Sequence, residues 1–508
     1  MRKILLGTTA VIGAALLAPT GAMAQGGSAP AVVNPATPDG ANYGRVGGPA
    51  LTPGDVTVRV GGYFAGWYSH TRQSNANGLN IANPVSNVTN GLLGTATTPT
   101  STQTPVTATG STKTGKNDFH TDSEIHVYVD GKAANGLRYG AVLELSFNGN
   151  EGTSTGSARR SFTLKTGALI DEAYAYATLP GLGQIRFGDE DGPFGGLMNA
   201  GFVTNFGTGG VYGAWQNSVV RPNKTTTSPG DLGDNTKIMY LSPQMFGFDF
   251  GVSYAVNSAT GAGNGCSASF ATYNCDRTYA YSGATANSIQ PYSDMPQRRH
   301  EIQAIARYRT QLMGVGIAAS FGHIGWQAQR DMTATGSSTV KTLRPGNVWQ
   351  AGLQLSAYGF TLGAAYQWGQ SNFFWGSQAR GDQSMFQYNL GASYTVGPIT
   401  VGANSFWGTY AGSNGYTFCE AIVNSSGNCS ASSQTGQYLR NNNGSMNSQR
   451  RWAFAAGANY RLAPGMDIVA EYVRHAVHEA GNNIAAGTGS SQDKLRADVL
   501  LVGTRLAF

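Results

Sequence analysis

Four groupings of side chains in this sequence could carry chemistry. Two are cysteine pairs, Cys266 with Cys275 and Cys419 with Cys429, each inside a polar stretch rich in Gly, Ser and Asn. No histidine lies near either pair and neither has C-x-x-C spacing, so they read as two local loop disulfides of an exported protein rather than as metal ligands. The third grouping is His475, His478 and Glu479. On a strand, a spacing of three sends the two imidazoles to opposite faces, where they cannot share an ion. The fourth, 207–213 (GTGGVYG), has the glycines of a phosphate loop but no Lys-Ser/Thr and no helix pattern after it. No set of Ser, His and acid converges by strand parity. The residues therefore imply no covalent step, cofactor or metal.

The N-terminus has the parts of an export leader: Arg2 and Lys3, an apolar run over 4–18, and Ala22-Met23-Ala24 before Gln25. Residues 1–24 are expected to be cleaved, and 25–54, a Pro/Gly/Ala-rich segment without periodicity, to form a flexible tail. Past the leader no apolar run approaches the roughly 18 residues that a membrane helix needs. Gly is 71 of 508 residues, Tyr 24 and Phe 21, while charged residues are 12%, about half the share usual for a soluble chain. The formal net charge is +6, about +4 once the leader's two basic residues leave. No basic run or interleaved aromatics accompany it, which argues against nucleic acid as a partner.

From 55 to 508 the sequence breaks into segments of about ten residues that alternate with period two. In 451–462, Trp452, Phe454, Ala456, Ala458, Tyr460 and Leu462 oppose Arg451, Ala453, Ala455, Gly457, Asn459 and Arg461. The segments 385–396 and 137–147 divide the same way. Aromatic residues crowd the ends of the apolar faces, among them Tyr139, Phe248, Phe360, Trp368, Tyr394, Trp407 and Trp452, as membrane–water girdles require. The other face carries Gly, Ser, Gln and Arg, which suits a wet lumen. Short connections at 135–136, 180–183, 242–247, 310–314, 358–359, 397–398 and 462–465 alternate with eight long polar loops. This predicts an all-β chain forming a closed antiparallel 16-stranded transmembrane β-barrel. The last strand, 495–508, is expected to close on the first near 56–68, because an open edge in hydrocarbon would leave backbone groups unpaired.

Strand parity places Arg59, Arg138, Arg186, Lys237, Arg307, Arg461 and Arg505 on the polar faces, against Glu144, Glu172, Glu190 and Glu301. Rings of charge in a narrow pore set ion preference, and this count leans slightly toward anions. The stretch 191–220 is less polar than the other long loops, with Phe194, Leu197, Met198, Phe202, Phe206, Tyr212 and Trp215. Standing in water it would expose apolar area. It is expected to fold against the barrel wall or to pack on a neighbouring subunit.

The leader, the sixteen alternating segments, a long third loop and a terminal Phe508 together resemble the general Gram-negative porins, especially those of alphaproteobacterial type. The resemblance covers about 55–508. It implies a trimer in the outer membrane that passes small hydrophilic solutes and ions by passive diffusion, with Phe508 as the recognition signal for the barrel-assembly machinery. It also implies a constriction formed by the third loop, about 191–235. The family's Pro-Glu-Phe-Gly-Gly segment is matched by Gly192-Pro193-Phe194-Gly195-Gly196 without the Glu; Asp189, Glu190 or Asp191 would supply the acid. A channel selective for sugars or anions, a barrel enzyme, and an adhesive or structural barrel are the competing readings.

Overall fold

A strand that alternates apolar and polar residues can face hydrocarbon on one side and water on the other, provided every backbone group finds a partner in the sheet. The chain meets that condition by closing the sheet on itself. The computed structural model describes residues 53–74, 115–147, 169–219, 235–257, 298–328, 343–371, 383–411, 448–479 and 494–508, with a few short strand fragments between them. The leader 1–24 and the tail 25–54 lie outside the described residues, apart from 53–54 and the paired fragments Met23–Ala24 and Gly27–Ser28. Cys266, Cys275 and Cys429 are also outside; Cys419 ends the fragment Thr417–Cys419, whose side chains are not described.

Sixteen strands form the closed barrel. They are β1 (Val56–Gln73), β2 (Asn117–Lys132), β3 (Arg138–Ser146), β4 (Leu169–Leu179), β5 (Gly183–Asp189), β6 (Thr236–Leu241), β7 (Phe248–Asn257) and β8 (Arg298–Leu312), then β9 (Val315–Ala328), β10 (Gly346–Ala357), β11 (Phe360–Gln370), β12 (Met385–Val396), β13 (Ile399–Ala411), β14 (Ser448–Ala463), β15 (Met466–Glu479) and β16 (Lys494–Ala507). Each pairs antiparallel with its neighbours in the chain, and β16 pairs with β1. The seven short turns fall where the glycines and prolines put them. At Met313-Gly314 and Tyr358-Gly359 both central residues have positive φ, the conformation whose twist matches that of the two strands it joins.

β16 closes on β1 as expected, meeting 63–73 from Ala507 opposite Tyr63 to Ala497 opposite Gln73. A closed sheet must stagger its strands, so residues 56–61 of β1 run past the C-terminus and pair with β2 alone.

The faces are inverted relative to a soluble barrel. Val56, Val58, Val60, Phe64, Leu500, Val502 and Leu506 point outward and are exposed, whereas Gln303, Gln350, Gln367, Gln387, Asn389, Asn404 and Glu471 point inward and are buried. Outward aromatic rings form two bands. Phe248 lies against Tyr308 and Phe360 against Tyr394, with centroids 4.6 and 4.3 Å apart, beside the short turns. Tyr366, Trp368, Phe386, Tyr388 and Trp407 form the second. From Phe360 to Trp368 the strand climbs roughly 27 Å at about 3.4 Å per residue, which, once tilted, matches an apolar belt of about 25 Å.

Candidate channel lumen and its inner loop

β5 and β6 have 7 and 6 residues, against 18 in β1. The wall therefore drops at this point, and the chain leaves it at Asp189 to return at Thr236. Residues 190–219 lie inside the barrel, and 220–234 are outside the described residues. The apolar side chains explain the direction taken. Phe194 packs with Ile324, Trp326, Val348, Met385 and Tyr410. Met198 packs with Met239, Leu241 and Ile305. Phe202, Val211, Tyr212 and Trp215 join Phe406 and the inward residues of β14, β15, β16 and β1. Phe194, Met198, Phe206 and Trp215 have no solvent exposure.

A segment lacking a sheet partner must find hydrogen bonds elsewhere, and polar residues of the wall supply them. Gln303 Oε1 accepts from the backbone N–H groups of Phe194 and Gly195 at 3.1 and 3.2 Å. Ser320 Oγ accepts from Ala200 N at 3.0 Å, and Gln350 Nε2 donates to Asn199 Oδ1 at 2.5 Å. Asn404 serves the loop three times, donating to the Val203 and Gly209 carbonyls at 2.9 and 3.3 Å and accepting from Val211 N at 2.9 Å. Tyr212 donates to Asn389, and Ser218 reaches His120 Nε2 at 3.1 Å. The strongest anchor is Glu471. Its Oε2 accepts from Thr208 N and Gly210 N, each at 2.8 Å, and its Oε1 from Thr208 Oγ1 at 2.8 Å. The glycine run 207–213 thus wraps a carboxylate of its own chain, as successive N–H groups in a nest do.

Room for the loop comes from glycines on the inner face of the wall. A side chain at Gly402 would run into Phe206, and one at Gly363 would meet Gly201 and Val203. None of the wall anchors was singled out by the sequence, since an inward polar residue has the same period whether it meets water or loop backbone. The inward glycines are the signal that could have found them.

The charged residues identified by parity are largely paired. Arg186 forms an ion pair with Glu190, donates to Gln184 Oε1 at 2.6 Å and lies over the Tyr174 ring at 5.1 Å. Arg307 grips Asp249 with two hydrogen bonds of 3.1 and 2.7 Å, reaches the Leu197 carbonyl at 3.4 Å, and shares that carboxylate with Arg309. Arg59 pairs with Asp130 at 2.9 Å, and Arg298 with Glu301 at 2.6 Å. Arg138 is exposed at the start of β3, beside the short turn. Lys237 donates to the Glu190 carbonyl and Thr236 to Asp189 Oδ1 at 2.5 Å, so Asp189, Glu190 and Asp191 are buried at the loop root with Arg186. Burial pushes the Glu190 carboxyl up to about 7; Arg186 pulls against it and Asp191 adds to it. His475 faces inward against Trp215, whereas His478 has the opposite parity.

With this geometry, an inward-polar wall surrounds a loop bound to it from within. A family model described as Gram-negative porin matches residues 8–477. Similar solved structures include an anion-selective porin from Comamonas acidovorans, at 12% identity over 89% of this chain and 100% of that one, with a TM-score of 0.47. OmpF of Salmonella typhi in complex with daunomycin is 11% identical over 89% and 97% of the two chains, with a TM-score of 0.46. OmpT of Vibrio cholerae in a trimer form is 9% identical over 89% and 99%, with a TM-score of 0.43. No curated protein matches the chain.

Proposed function

This chain belongs to the Gram-negative porin family, and from that premise we propose that it forms a water-filled channel through which small hydrophilic solutes and ions cross the outer membrane by passive diffusion. The observation that carries the reading is the inverted wall, with apolar residues outward and Gln, Asn and paired charges inward.

The third loop, about 191–235, acts as the constriction. The burial of Phe194 at its root and the row of wall hydrogen bonds to 194–211 support this role. Asp189, Glu190 and Asp191 supply the acidic groups of that level and Arg186 and Arg307 the basic ones, while Arg59 and Arg138 line the wall nearer the short turns. Because three of those arginines share their charge with a carboxylate, ion preference is weak. Transport of this kind needs no bond made or broken, and the protein works as a conduit rather than an enzyme. It is exported by its leader, inserted by the barrel-assembly machinery through Phe508, embedded in outer-membrane lipid and assembled as a homotrimer. Cys266–Cys275 and Cys419–Cys429 staple two of its outer loops.

Single-channel current of the refolded protein in a planar bilayer tests the reading, with a salt gradient for the reversal potential and sugars added for block. Open steps in triplets, little block and a small reversal potential are expected. Sugar-dependent closure would replace general diffusion by a substrate-selective channel, and absence of conductance would overturn the channel itself.

A further inference from the structure

The parity argument that separates His475 from His478 has the opposite result elsewhere on the wall. Glu124 and His126 stand two residues apart on β2, so the pleat turns both into the lumen. Glu144 of β3 lies directly across from His126 and shares that face. The imidazole sits between the two carboxylates: Nε2 is 2.9 Å from Glu124 Oε2 and Nδ1 is 3.5 Å from Glu144 Oε1. The Tyr128 hydroxyl is 2.9 Å from Nδ1. One ligand atom from each of Glu124, His126 and Glu144 lies within 4.8 Å of the other two. Asp171 of β4 is close enough to act electrostatically on both His126 and Glu144.

Glu124 and His126 are nearly buried, and Arg505 acts electrostatically on Glu124 from the neighbouring wall. The three side chains bring one imidazole and two carboxyl groups to a single point of the wall. We propose that Glu124, His126 and Glu144 form a binding site for a divalent ion of the zinc class, taken from the fluid of the lumen.

The donor set selects the ion. One imidazole with two carboxylates suits zinc, whereas magnesium and calcium prefer oxygen alone. Two atoms each about 2.0–2.2 Å from one tetrahedral ion stand roughly 3.4 Å apart, close to the 3.5 Å between His126 Nδ1 and Glu144 Oε1; Glu124, which meets Nε2, completes the site by turning its carboxylate toward the ion. All three ligands rise from paired strands rather than from a loop, so their spacing is fixed by the ladder. The Glu144 side chain keeps 16% of its surface open, which gives the ion a way in. Metal takes the place of a proton on the imidazole, so protons compete with it. A bound ion adds positive charge to the wall and lowers cation flow past β2 and β3.

Equilibrium dialysis of the refolded full-length protein against zinc tests the site, with single-channel current in zinc as a second readout. Dialysis reads binding whether or not the protein conducts, so failure of the channel reading and failure of this one are separate results. The expected result is one zinc per chain, unaffected by equal magnesium and weakened between pH 8 and pH 5.5. His126→Ala and Glu144→Gln should each weaken binding roughly tenfold or more, and His478→Ala should leave it unchanged. His126→Asn, which keeps a hydrogen-bonding side chain in the wall, covers the case in which His126→Ala fails to fold. Absence of bound zinc in the parent protein, or zinc binding unaltered in Glu144→Gln and His126→Asn, would overturn the proposal.

Discussion

Glu471 concentrates three donors of the loop on one carboxyl group, and a hydrogen bond of this kind contributes about 0.5–1.5 kcal/mol. Glu471→Ala leaves those donors unpaired in a dry interface. Single-channel recordings should then show a noisier open state of higher mean conductance. Glu471→Gln should restore much of the parent behaviour, because its carbonyl can accept from both N–H groups while its amide donates to Thr208 Oγ1. Glu190 controls a different property. Its carboxyl is pushed up to about 7 by burial, so it is neutral at pH 6 and charged at pH 8. Neutral Glu190 removes one negative charge from beside Arg186 at the loop root. The reversal potential in a salt gradient should therefore move toward anion preference as pH falls from 8 to 6, and Glu190→Gln should remove the pH dependence.

At the scale of elements, the strands and turns were legible in the sequence because each has a local cause. Period-two alternation sets the faces of β12 and β14, and glycines such as Gly314 and Gly359 set the turns. The inward course of 194–215 was legible as one of two ways for an apolar loop to bury its rings, the other being against a neighbouring subunit. Its partners were not. Asn404 and Glu471 are single polar residues in strands full of inward polar residues, and only the three-dimensional path of the loop distinguishes them from residues facing water. The Glu124, His126 and Glu144 cluster was missed for a related reason: Glu144 meets His126 through a strand pairing that short-range spacing does not reveal. Close approach between elements is testable at Gly402, where any side chain meets Phe206. Gly402→Leu should leave the folded barrel intact on gels run without heating. It should lower single-channel conductance, since the added side chain lifts the loop off the wall toward the pore axis.

For the whole molecule, closure rests on the seam between β16 and β1. Phe508 seals its end with two reciprocal backbone bonds to Gly62, each 3.0 Å, and its ring stands out toward lipid. Deleting Phe508 should reduce the fraction of refolded protein that migrates as the compact, unheated form, with any barrels that do form conducting as before. The stagger of that seam was not legible, because shear belongs to the whole cylinder and to no single strand. The loop's attachments have a mechanical consequence at the same scale. A bare cylinder of strands resists flattening only through the stiffness of its wall. Here one stretch of chain, rooted between β5 and β6, is tied in turn to β8, β9, β10, β13 and β15. It acts as an internal hoop, so that squeezing the cylinder into an oval must strain those ties, and the bore keeps its shape when lateral pressure in the bilayer changes.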